Sequence, residues 1–102
     1  MKLYDVLLTP DAIADLQNIY DYVADESGSY EVALSYIQKL HKRCEELLTI
    51  APIRGQARDD LRTGVRIAPL NKKAVIAFEV HESHVLVLNI FHGGEDYEAL
   101  MW

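Results

Sequence analysis

Two stretches with apolar residues at intervals of three and four, separated only by Glu26-Ser27-Gly28-Ser29, constrain this chain more than any other feature. In the first, Ile13, Leu16, Ile19 or Tyr20, and Val23 fall on one helical face, leaving Asp15, Asp21 and Asp25 to face water. Thr9-Pro10-Asp11 supplies a start signal: a hydroxyl to cap free N–H groups, a proline at the first helical position and an acid in the first turn. In the second, Ala33, Ile37, Leu40, Cys44 and Leu47 recur, widened by Tyr36 and Leu48, before Pro52 and Gly55 end the pattern. The expected helices run from about residue 10 to 25 and from about 30 to 50. A connector this short makes them antiparallel, as a hairpin.

The remaining periodicity is that of strands. Leu3 to Leu8 alternates ahead of the hairpin, and Val65 to Pro69, Ala74 to Val80 and Val85 to Phe91 follow it. Asn71-Lys72-Lys73 and His81 to His84 are connectors short enough to make the last three an antiparallel meander. In the final strand Val85 and Val87 point one way and Leu86, Leu88 and Ile90 the other. A strand apolar on both faces is either central in its sheet or open to a partner. The order strand, helix, helix, strand, strand, strand predicts an α+β fold: one domain over residues 1–102, with an antiparallel sheet and the helix hairpin packed on one face.

Charge is distributed unevenly over this framework. Arg54, Arg58, Arg62, Arg66, Lys72 and Lys73, less Asp59 and Asp60, give residues 54–73 a charge of +4 on a chain of net −6, so the remainder carries −10. This asymmetry suggests a basic surface facing a partner, or arginines neutralised by Asp59, Asp60 and the acidic helices. The acidic balance argues against general nucleic-acid binding, which draws its affinity from cations neutralising phosphates. One cysteine, Cys44, lies on the apolar stripe of the second helix and suits a reducing compartment. Neither a signal peptide nor a run long enough to span a bilayer is legible, so a cytoplasmic location away from membranes is expected.

The opening strand followed by TPDAIADLQNIYDYV, the Pro52 and Gly55 pair, and the runs RDDLRTGVR, VIAFEV and VLVLNIFHGGED together resemble the ParE/RelE toxin superfamily. The ParE, or plasmid-stabilisation, branch is the nearer likeness. The resemblance covers essentially the whole chain. It implies the toxin of a type II toxin–antitoxin pair, neutralised by a ParD-like antitoxin and touching DNA only through that complex. In the ParE branch the implied target is DNA gyrase. In the RelE branch it is mRNA, cut on the ribosome. A third reading is an inactive interaction module with a toxin fold.

Metal-free RNA cleavage needs a proton acceptor, a proton donor and cations for the phosphorane. His92 and Tyr97 are the candidates for proton transfer, and Arg58, Arg62 and Arg66 for the cations. Glu95 stands after His92-Gly93-Gly94, where the resemblance leads one to expect a basic residue, with Asp96 and Glu98 beyond it. Carboxylates beside a phosphate site repel its substrate, so binding is favoured over catalysis. Arg58, Arg62 and Arg66 are then the expected rim of a target or antitoxin surface, and Ile76, Phe78, Leu88 and Ile90 its apolar content. His81, Glu82 and His84 lack a third ligand at readable spacing, and neither metal nor cofactor is expected.

Overall fold

The computed structural model describes residues 3–50 and 55–94; Arg54, Glu95 and Tyr97 lie outside them. Helix α1, Pro10–Ser27, begins where the sequence predicts. The Thr9 hydroxyl accepts the Ala12 N–H at 3.1 Å, satisfying one of the donors that every helix start leaves over. The helix runs past residue 25 because its stop is Gly28, whose φ of 68° suits a residue without Cβ and whose N–H donates to the Ala24 carbonyl at 2.9 Å. One residue later the Ser29 hydroxyl accepts the Val32 N–H and starts helix α2, Tyr30–Ile50.

The described strands are β1 (Asp5–Leu8), β2 (Gln56–Ala57), β3 (Val65–Pro69), β4 (Ala74–Val80) and β5 (His84–His92), in the sheet order β1-β5-β4-β3-β2. The meander of β3, β4 and β5 is antiparallel, as its short turns require. However, β1 pairs with β5 in parallel, from Asp5 opposite His84 to Leu8 opposite Val87, so the sheet is mixed and not wholly antiparallel. The turns fix only the directions of the strands they join. Between β1 and the meander stands the whole helix hairpin, which leaves that choice open. Strand β2 was not expected, because two exposed residues carry no periodicity; it adds to β3 with Gln56 opposite Ile67.

The helices cover one sheet face. Ala12, Ile19, Leu40, Cys44 and Leu48 pack against Ile76, Phe78, Val85, Val87 and Ile90. On the other face Leu61, Val65, Ile67, Ala77, Leu88 and Phe91 form a second cluster. Both sides of β4 and β5 are therefore apolar because both bear core.

The face assignment of β5 departs from strict alternation. Phe78 pairs with Val87 and Ala77 with Asn89, which leaves Leu88 as an extra residue in a β-bulge. Beyond the bulge the parity reverses, so Ile90 joins Val85 and Val87 under the helices instead of Leu86 and Leu88. Helix α1 holds this irregularity: Thr9 Oγ1 donates to the Leu88 carbonyl at 2.8 Å, and Asp15 Oδ2 accepts the Ile90 N–H at 2.8 Å.

Candidate binding surfaces and the His92 cluster

The basic segment is a structured turn. Its backbone is closed by Arg58 N–H to the Val65 carbonyl at 2.9 Å and by the Gly64 N–H to Asp59 Oδ1 at 2.8 Å, with Gly64 at φ 83°. Leu61, 5% exposed, anchors the turn in the second apolar cluster. Arg58 donates through Nε and Nη2 to both oxygens of Asp60, at 3.0 and 2.9 Å. That hydrogen bond holds the Asp60 carboxyl below its usual range. Arg66 is half-buried on β3, with Nη2 donating to the Gly55 carbonyl. Arg62 is exposed. Arg58 is thus engaged by the neighbouring acid, as the alternative reading of the charges held.

The apolar candidates separate. Ile76 and Phe78 are 0% exposed and Ile90 is 2% exposed, all in the core beneath the helices. They offer no surface to a partner in this fold. Leu88 lies on the opposite face, at 7% exposure within the second cluster.

His92 ends β5, paired across the sheet with Ala74. The Tyr36 hydroxyl lies 2.8 Å from His92 Nε2 and accepts the Asn71 side-chain amide at 3.2 Å. Tyr36 and Tyr22 both meet the imidazole edge-on, with centroids at 5.5 and 5.9 Å. Two depressions flank the ring. One of about 270 Å³ is lined by Asp15, Asn18, Tyr22 and Gly93. The other, about 300 Å³, is lined by Glu26, Tyr36 and Lys73.

The predicted cations do not converge on this cluster. Arg66 stands opposite Phe78, and Arg58 bonds to Val65, which stands opposite Glu79. Those positions are four and five residues along β4 from Ala74, roughly 13 to 17 Å at strand rise. Sequence reasoning missed Tyr36, Tyr22, Asn71 and Asp15. Tyr36 reads simply as core at the edge of a helical stripe, and nothing local links positions 36 and 92.

Other reactive groups are accounted for. Burial pushes the Cys44 thiol up to about 12, with Glu45 adding to the shift, so it is a packing residue. His81 and His84 stack at 4.7 Å, and His81 Nε2 meets Glu79 Oε1 at 3.2 Å. Among the described residues no group of three or more His, Cys, Asp or Glu side chains is arranged to hold a metal, and no helix is long and apolar enough to cross a membrane.

The described residues thus form a helix hairpin over one face of a small mixed sheet, with a structured basic turn at one end and a histidine–tyrosine cluster at the other. The sequence model for the ParE toxin of type II toxin–antitoxin systems matches residues 6–97, and the chain belongs to that family. A search of curated proteins gives no significant match. Among solved structures, the chromosomal ParDE system of P. aeruginosa aligns with a TM-score of 0.74 and 26% identity, over 88% of this chain and 96% of that one. The RelBE2 complex of Mycobacterium tuberculosis aligns at 0.63 and 16% identity, over 93% and 97% of the two chains. The YoeB-YefM complex of Staphylococcus aureus aligns at 0.53 and 16%, over 88% and 97%. The last two are likenesses of fold.

Proposed function

We propose that this ParE-family toxin acts by binding DNA gyrase and is neutralised by a cognate ParD-like antitoxin. The observation that carries the reading is the family match over residues 6–97, joined to the ParDE alignment. The arrangement of charge supports binding over cleavage. A nuclease needs cations at the atoms its acid and base serve, whereas Arg58 and Arg66 stand well along the sheet from His92. Arg62, exposed on the basic turn, is the arginine best placed for carboxylates of a target or antitoxin.

One observation favours the RelE-type alternative. His92, hydrogen-bonded to Tyr36 and sharing a depression with Lys73, has the ingredients of proton transfer beside a cation.

Induction of the toxin alone, combined with gyrase supercoiling and cleavage assays on purified protein, separates the readings. The gyrase reading expects filamentation, trapped DNA cleavage and retained toxicity in His92→Gln. Reversing Arg58 and Arg62 to Glu should abolish growth inhibition or antitoxin affinity without unfolding the domain. Prompt loss of translation that depends on His92 would replace it with the ribosomal reading. A folded protein with no effect on growth would leave only an interaction module.

A further inference from the structure

Helix α1 carries Asp11, Asp15, Asp21, Asp25 and Glu26 and neither lysine nor arginine. Its last turn has no basic residue, so no cation of the helix offsets the negative end of its dipole. The depression of about 270 Å³ between this helix and the end of β5 lies within that negative field. Asp15, Asn18 and Tyr22 line it from α1, and Ile90, His92 and Gly93 from the strand side. Among the described residues no lysine or arginine lines it. Lys73 belongs to the neighbouring depression, where it shares the lining with Glu26.

The lining combines an anion, an amide and an aromatic ring. The Ile90 N–H and the Asn89 amide both reach Asp15 at Oδ2, and a carboxylate has acceptor sites for further donors. Asn18 is exposed, and among the described residues its carboxamide bonds to no other side chain or backbone group. Tyr22, 54% exposed, meets His92 edge-on and supplies an aromatic wall. Pockets for whole small-molecule ligands hold about 300–1,000 Å³. This one is below that range and suits a single side chain.

We propose that this depression receives the guanidinium of an arginine side chain presented by a partner protein. A guanidinium is a flat cation with a fork of N–H donors. It stacks on Tyr22 while donating to the Asp15 carboxylate and to the Asn18 carbonyl oxygen, and so uses all three features at once. A lysine ammonium has neither the plane nor the fork. A nucleobase could stack on the same ring, but its phosphate would be brought against Asp15 and the acidic helix. The proposal goes beyond the choice of toxin target, since it holds whichever macromolecule the toxin disables.

An amide NMR titration of the full chain tests it with the blocked tripeptide Gly-Arg-Gly, the same peptide with citrulline or lysine at its centre, and guanosine monophosphate. Citrulline keeps the shape of arginine and removes the charge. The arginine peptide should shift the Asn18, Tyr22 and Gly93 signals saturably, and bind at least about fivefold more tightly than the other probes. Asn18→Ala and Tyr22→Leu, both at exposed positions, should each weaken it several-fold. Asp15→Asn, which removes the charge and keeps an acceptor for Ile90, should weaken it further. Asn18→Asp, with a second carboxylate, should tighten it. Glu45→Gln on α2 should leave it unchanged. The dispersion of the remaining signals reports whether each variant is folded. Absence of saturable shifts, equal binding of the citrulline or lysine peptide, tighter binding of the nucleotide, or affinity indifferent to Asn18 and Tyr22 would each overturn the proposal.

Discussion

Asp15 Oδ2 accepts the backbone N–H of Ile90 at 2.8 Å, joining the second turn of α1 to the strand residue just beyond the β-bulge. The Asn89 side-chain amide donates to the same oxygen at 3.3 Å. A bulge removes backbone groups from the strand ladder, and a buried N–H without an acceptor is costly. Asp15, on α1, answers a requirement created 75 residues away.

Asp15→Ala should therefore destabilise the domain by about 1–3 kcal/mol, the cost of stranding a buried donor. Asp15→Asn retains a carbonyl oxygen that can accept from Ile90, and should lose less. Urea unfolding of both variants checks the order. Equal losses would mean that the carboxylate's charge, and not its role as acceptor, matters here.

The same residues mark the limit of what the sequence discloses. The helix hairpin was legible because Thr9-Pro10 starts α1, Gly28 stops it, and the apolar stripes have an unambiguous period. Strands β3 and β4 begin and end where their alternation does. The position of Ile90 was not legible, since a bulge is one inserted residue with no local signature, and it reverses every later side chain. The parallel pairing of β1 is equally silent, being set by packing across the whole chain. For the site, Arg58, Arg62 and His92 can be located from sequence, but the Tyr36–His92 contact joins two elements and depends on the fold.

Cys44 should be chemically inert in the folded protein. Its thiol is pushed up to about 12 by burial, so negligible thiolate exists near neutral pH. Iodoacetamide at pH 8 should leave it unmodified and should label it at once in denaturant. The linkage has a definite sign. The folded state keeps the proton more tightly than the unfolded state, so the contribution is fully present below pH 9 and is lost as pH rises from 9 towards 12. Cys44→Ala should lack this alkaline decline. Fast labelling under native conditions would contradict the burial argument.

Asp60 should report on Arg58. The guanidinium hydrogen bonds keep its carboxyl below the ordinary value of 3.8. In Arg58→Gln, an NMR titration should find the Asp60 midpoint moved up towards that value. A depressed acid favours the fold above the unfolded value and loses this contribution as pH falls through the folded one. The pair is exposed on the Asp60 side, so its effect on global stability should be small. An unmoved midpoint would mean that Arg58 does not hold Asp60 in solution.

Gly55 should tolerate no side chain. A Cβ built there would lie 2.6 Å from Phe78 Cζ, 2.9 Å from Phe78 Cε1 and 3.1 Å from the Ile67 carbonyl oxygen. Such contacts are inside van der Waals distance, and Phe78 cannot retreat, because it is wholly buried among the core residues under the helices. Gly55→Ala should then cost about 1–3 kcal/mol, the usual penalty of overpacking. Phe78→Leu alone should also be destabilising, through the space it leaves. Combined with Gly55→Ala, however, the smaller side chain admits the new methyl, so the two losses should sum to less than their parts. A double-mutant cycle by urea unfolding measures this coupling. Strictly additive losses would place the cost of the alanine in the backbone and not against the Phe78 ring.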